Sequence, residues 1–178
     1  SIEPSWDYGV VLRSSLELAR DGSLTDTAYF SRYPFQVYPL LYMTFFMKLI
    51  HARTMAAACG VSYVLNIIHI LVALYGAFFV GKLLHGKRFG LKILLFCMCS
   101  APLFLYASIC YTDTLALPFP VWTLALWLYA RKMPALTKQQ KWKKTALYVG
   151  SGMMAGFGLR IKSIAAIGLI ALMIFLLF

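Results

Sequence analysis

Residues 57–81 read Ala57-Ala-Cys-Gly-Val-Ser-Tyr-Val-Leu-Asn-Ile-Ile-His-Ile-Leu-Val-Ala-Leu-Tyr-Gly-Ala-Phe-Phe-Val-Gly81, with no Asp, Glu, Lys or Arg among them. A helix needs about 20 consecutive apolar residues to cross the hydrocarbon core of a bilayer. This run exceeds that and predicts a transmembrane helix. The rest of the chain follows the same pattern. Hydrophobic residues make up 61% and charged residues 13%, and the mean hydropathy is +0.75. A soluble domain carries about 45–50% apolar and about 25% charged residues. The composition therefore predicts an integral membrane protein.

The charges beside that helix give topology. Residues 82–92 hold four Lys/Arg and no acid; residues 131–144 hold six and no acid. Between them lie two apolar runs. Residues 93–110 predict a span bent at Pro102, and residues 114–130 predict another, with Pro118 and Pro120 in its first turns. Residues 145–159 and 163–178 are two shorter apolar runs, separated by Arg160-Ile161-Lys162. Short basic segments flanking apolar runs are retained on the cytoplasmic side. Two spans separate the basic loops, so their parity agrees. Asp113, Arg160 and Lys162 then fall together at the opposite, external face. The net charge of +11 is thus a topology signal, not a nucleic-acid footprint, and no nucleic-acid partner is expected.

The first 56 residues differ. Five of the six acids (Glu3, Asp7, Glu17, Asp21, Asp26) lie here; the sixth is Asp113. Residues 8–20 predict an amphipathic helix with Leu12, Leu16 and Ala19 on one face and an Arg13–Glu17 pair. Asp21-Gly22 reads as its stop, and residues 23–33 as a polar, aromatic loop. Residues 34–50 are apolar and aromatic, borderline for a span. Tyr33, Pro34, Tyr38, Pro39 and Tyr42 favour an interfacial or re-entrant piece, because aromatic rings prefer headgroup depth and prolines interrupt a helix. The expected organisation is an external loop with interfacial helices over 1–56 and an all-α, polytopic transmembrane bundle of about five spans over 57–178. The missing initiator Met and an end inside an apolar run lead to the expectation of a piece of a longer protein.

The polar residues at membrane depth each carry two readings. Asp7 and Asp113 serve either as helix caps or as functional carboxylates, since an acid in an apolar setting is costly. Arg160 and Lys162 either snorkel to the interface or bind a phosphate. His69 and Asn66 share a helix face and suit an interhelical hydrogen bond. Gly152-x-x-x-Gly156 suits close helix packing. Cys59, Cys97, Cys99 and Cys110 read as buried free thiols, because Cys97-x-Cys99 is not a zinc or redox spacing.

The order of the short motifs resembles the GT-C superfamily of membrane glycosyltransferases, in particular the protein-O-mannosyltransferase-like branch (family 39) and its bacterial relatives. The matching pieces are Trp6-Asp7-Tyr8 before an amphipathic helix; Tyr33-Pro34-Phe35-Gln36 followed by Pro39-Leu40-Leu41-Tyr42; Tyr111-Thr112-Asp113-Thr114-Leu115; and Gly152-x-x-x-Gly156-x-Gly158-x-x-x-Lys162. The resemblance implies transfer of a sugar, with inversion, from a polyprenyl-phosphate donor to a hydroxyl of a protein, polysaccharide or glycolipid, at the external face of a bacterial plasma membrane. It implies Asp7 as general base and Asp113 as a positioning or metal-holding acid. Arg160 and Lys162 would hold the donor phosphate, and Trp6, Tyr8 and Tyr111 would line the substrate. Asp7 lacks the paired acid of some branches, so a divalent metal is compatible with the motif without being called for by it, and no other cofactor is implied. The lysine also lacks the proline that commonly follows it. The rival reading is a non-enzymatic transporter, lipid-carrier flippase or assembly subunit, in which Asp113, Asn66 and His69 face one cavity at the midplane. In a third, both acids are only caps on a scaffold.

Overall fold

The computed structural model describes residues 6–101, 103, 112–163, 166, 170 and 174. The described residues are all-helical, with no strand. Helix α1 runs Trp6–Arg20, α2 Thr27–Arg32, α3 Val37–Leu49, α4 Met55–His85, α5 Lys87–Met98, α6 Thr112–Ala116, α7 Pro118–Lys132 and α8 Lys138–Ile161.

Helix α4 is the axis of the fold. Thr54 caps it by accepting the Ala57 N–H at 3.2 Å, and its 31 residues reach about 46 Å at 1.5 Å per residue. One face is buried at helical spacing: Ala58, Val61, Ser62, Leu65, Asn66, His69, Ile70 and Ala73. The other face (Tyr63, Val64, Ile67, Ile68, Leu71, Val72, Tyr75) is exposed and equally apolar. An aqueous surface helix would be polar there; an apolar outer face is what lipid accepts. The outer faces of α3 (Tyr38, Leu41, Phe45, Leu49), α5 (Leu91, Leu95, Phe96) and α8 (Val149, Met153, Phe157) are apolar too.

Among the described residues, α4 is the helix both long and apolar enough to cross a bilayer. The expected span over 114–130 is divided. Pro118 and Pro120 remove backbone donors, so α6 and α7 are separate helices joined at Leu117, which keeps right-handed angles (φ −54°, ψ −42°). The run at 145–159 is the second half of α8, whose first turns take in Lys138, Lys141, Lys143 and Lys144. The basic loop expected over 131–144 is therefore mostly helix. A capping box starts it: Thr137 accepts the Gln140 N–H, and the Gln140 side chain accepts the Thr137 N–H. Most of the span expected over 93–110, including Pro102, and most of 163–178 lie outside the described residues.

Two cores sit at opposite ends of α4. Near its start, Leu12 and Leu16 of α1, Met43 and Met47 of α3, Leu115 of α6 and Ile161 of α8 pack on Ala58, Val61 and Leu65. Near its other end, Val80 packs with Ala125 and Leu128 of α7. The Lys132 ammonium there donates to the Leu83 carbonyl, so the two basic segments meet. Arg160, Lys162 and Asp113 lie at the first end. This agrees with the parity read from the charges.

Helices α4 and α5 turn about Gly86 at φ +88° and cross where Gly81 meets Gly90. A Cβ on Gly90 would stand 2.6 Å from the Phe78 carbonyl oxygen. Gly152 and Gly156 have nothing within 4 Å of an added Cβ. The close packing expected of the Gly152-x-x-x-Gly156 motif is therefore made within this chain by Gly81 and Gly90 instead.

The N-terminal segment is a layer against the start of α4. Leu12, Leu16 and the half-buried Ala19 face the core as expected, and α1 stops at Arg20, with Gly22 at φ +70°. Arg13 and Glu17 do not pair; Glu17 accepts the Thr25 N–H at 3.4 Å. Arg20 instead binds Asp21 at 2.6 Å, and that hydrogen bond holds the Asp21 carboxyl below its ordinary range. The loop expected over 23–33 contains α2. Neither proline interrupts residues 34–50. Pro34 opens a 3-10 turn over Pro34–Gln36, and Pro39 falls in the first turn of α3, where no donor is needed. At 13 residues, α3 is about 20 Å long, short of the roughly 30 Å core. A Schellman motif ends it, with His51 at φ +54° and the Ala52 N–H donating to the Met47 carbonyl at 2.9 Å.

Candidate functional site

Helix α1 is fixed by small polar residues. Ser15 Oγ donates to the carbonyls of Val11 (2.7 Å) and Leu40 (3.2 Å), and Thr44 Oγ1 donates to Leu40 O at 2.8 Å. Tyr8 bonds Ser62 on α4 at 2.6 Å. Ser62 gives its proton to Cys59 O (2.9 Å), so Tyr8 is the donor to Ser62. These contacts set the register of α1 and leave Asp7, in its first turn, exposed at the rim of a cleft of about 300 Å³. Asp7 follows Trp6 inside the helix, so it is not the N-cap; its charge faces the positive end of the helix dipole.

The polar lining of the cleft is Asp7, Tyr8, Gln36 and Thr112. Its apolar lining is Val11, Pro39, Met43 and Leu115. Gln36 is only 6% exposed, and its Oε1 has no hydrogen-bond partner.

Asp113 is the second residue of α6, next to Thr112, and its carboxylate is engaged beyond any capping role. It accepts from Lys162 Nζ at 2.6 Å. Lys162 ends α8 in extended conformation (φ −156°, ψ 130°). The side chains are 45% and 30% exposed respectively, so this is an interfacial ion pair. Arg160, in the last turn of α8, donates from Nη1 to the Tyr38 hydroxyl at 2.7 Å, with its guanidinium 5.2 Å from the Tyr38 ring centre. Among the described residues Arg160 has no carboxylate partner, so its charge is uncommitted.

The structure therefore groups four of the seven residues singled out from sequence. Asp7 and Tyr8 line the cleft, and Asp113 and Lys162 pair beside its Thr112 wall. Arg160 is held by Tyr38, which precedes the cleft residue Pro39. The Trp6 side chain and Tyr111 lie outside the described residues. Gln36, Tyr38 and Thr112 were not singled out as site residues. The available signal was Gln36, a carboxamide within an otherwise apolar and aromatic stretch.

Asn66 and His69 are buried and used in packing. His69 Nδ1 donates to Leu65 O (2.7 Å), which leaves Nε2 to accept from the Tyr42 hydroxyl at 3.0 Å. This is the interhelical bond expected of His69. Neither residue lines the cleft, and Asp113 is turned to Lys162, so these three do not share one cavity. Cys59, Cys97 and Cys99 are free thiols, but Cys99 is exposed and the other two half-buried; Cys110 lies outside the described residues. Among the described residues no three of His, Cys, Asp and Glu come together as a metal site.

No curated protein and no solved structure matches this chain. A protein family does, and its description agrees with the apolar outer faces of α3, α4, α5 and α8. Residues 3–178 match the family described as conserved hypothetical integral membrane protein, and the chain belongs to that family.

Proposed function

We propose that the protein is a GT-C-like membrane glycosyltransferase with a polytopic bundle, acting at the external face of a bacterial plasma membrane. Its donor is a sugar on a polyprenyl phosphate and its acceptor a hydroxyl. The observation that carries this reading is the grouping of two acids and two cations at the end of α4 remote from the basic segments. Asp7 stands in a cleft beside the Asp113–Lys162 pair, with Arg160 held by Tyr38. The motif order supports the same assignment.

In this reading the acceptor hydroxyl gives its proton to the Asp7 carboxylate as its oxygen bonds to the anomeric carbon. The bond from that carbon to the donor phosphate oxygen breaks, and the electron pair leaves with the phosphate. The singly charged phosphodiester becomes a doubly charged polyprenyl phosphate. Arg160 and Lys162 stabilise that added charge. Arg160 has open donors for it, whereas Lys162 is shared with Asp113, which positions the ammonium. A single displacement inverts the anomeric centre.

The test is transfer of radiolabel from polyprenyl-phosphate sugars in membranes, with expression-matched parent, Asp7→Asn and Lys162→Ala. A transferase acting through Asp7 loses about 10²–10⁴-fold in rate in Asp7→Asn while donor binding persists. Transfer at the parent rate in Asp7→Asn would reduce Asp7 to a helix-end charge and sink the mechanism.

A further inference from the structure

The cleft is built for hydrogen-bond donors. Asp7 offers only acceptor atoms, and Gln36 Oε1 is an acceptor held out of water without a partner. A buried polar group is ordinarily satisfied, so an orphan facing a cleft marks the place of a ligand atom. Thr112 adds a hydroxyl that donates or accepts. The opposite chemistry is supplied by Val11, Pro39, Met43 and Leu115, an apolar surface for C–H groups.

A phosphate does not suit this lining: it brings negative charge to Asp7 and further acceptors to Gln36. A lone hydroxyl satisfies Asp7 and leaves Gln36 orphaned. A sugar ring satisfies both, with neighbouring hydroxyls on one edge and C–H groups on its faces. We infer that this cleft binds a carbohydrate acceptor, with Gln36 Oε1 accepting a hydrogen bond from a sugar hydroxyl adjacent to the one that Asp7 deprotonates. The inference rests on the glycosyltransferase reading for the role of Asp7; the carbohydrate site itself stands on the lining. Gln36 is a specificity-determining residue: it selects a hydroxyl-rich acceptor over the hydroxyl of a peptide.

The test is saturation-transfer NMR on the protein in lipid nanodiscs. The probes are methyl hexopyranosides, N-acetylserine methylamide and inorganic phosphate. The parent is expected to bind at least one methyl hexopyranoside saturably and more tightly than the other two probes. Gln36→Leu is expected to weaken that binding at least tenfold, and Gln36→Glu, which keeps an acceptor oxygen, to stay within threefold. Gln36→Met is the companion variant, and thermal unfolding checks that each folds. No saturable hexopyranoside binding by the parent overturns the inference, as does equal binding by Gln36→Leu or Gln36→Met. Tighter binding of the serine probe also overturns it. Hexopyranoside binding with no sugar transfer in the membrane assay leaves the carbohydrate site standing and defeats the transferase. Transfer to a peptide hydroxyl that is indifferent to Gln36→Leu does the reverse.

Discussion

The crossing of α4 and α5 gives the sharpest stability test. A methyl placed on Gly90 would lie 2.6 Å from the Phe78 carbonyl oxygen and 3.0 Å from the Lys82 nitrogen, both backbone atoms. A carbon rests about 3.3 Å or more from a carbonyl oxygen, so Gly90→Ala forces the helices apart by roughly 0.7 Å. Overpacking of this kind costs about 1–3 kcal/mol. Alanine returns up to about 1 kcal/mol of helix propensity, so the net loss is roughly 0–2 kcal/mol. Gly156→Ala is the control. Its methyl meets nothing within 4 Å, so only the propensity gain of up to about 1 kcal/mol remains. The quantity to measure is the difference between the two variants, expected at about 1–3 kcal/mol, by reversible unfolding in mixed micelles titrated with SDS. Equal shifts for both variants would refute the assignment of the close contact to Gly81 and Gly90.

Three further outcomes follow from single contacts. Tyr42→Phe removes the donor to His69 Nε2 and is expected to cost about 0.6–1.7 kcal/mol, the range of interhelical hydrogen bonds in membranes; no loss in the same assay would make the bond incidental. A cycle of Asp113→Asn and Lys162→Met is expected to give a coupling of about 1 kcal/mol, because both side chains are partly solvated; strictly additive effects would deny the pair. His51 holds φ +54° at the end of α3, so His51→Gly is expected to raise stability by about 1 kcal/mol, and a loss would show that the imidazole makes a compensating contact.

Much of the helical framework was legible because hydrophobic periodicity is a local signal. Residues 57–81 announce α4, Leu12 and Leu16 announce the buried face of α1, and Asp21-Gly22 announces its end. What failed depended on context. Six-residue α2 is too short to show a period. Residues 138–144 were read as loop because their charge masked the Thr137-x-x-Gln140 capping box, which was in plain view. Gly152 and Gly156 match a packing motif, but a motif does not say which face a partner covers, whereas Gly81 and Gly90 lie on different helices and form no short pattern. The prolines at 34 and 39 were read as breaks, because their cost depends on whether they fall in a first turn.

The site was legible to a coarser degree. Charge parity brought Asp113, Arg160 and Lys162 to one end, yet it could not say that Lys162 would bond Asp113 while Arg160 would bond Tyr38. Those pairings depend on where α6 and α3 pack against the end of α8. Gln36 carried no charge and so drew no attention, although burial without a partner makes it the most unusual polar group in the cleft.

The central claim is that the two ends of the helices lie in different compartments. The direct measurement is membrane-impermeant thiol labelling of intact cells, with the four native cysteines replaced by alanine and a single cysteine restored by Thr25→Cys or by Gln139→Cys. Both positions are exposed. The account expects Thr25→Cys to be labelled from outside and Gln139→Cys only after permeabilisation. Labelling of both from one side, or of Gln139→Cys alone from outside, would contradict it and remove the external face on which the proposed chemistry depends.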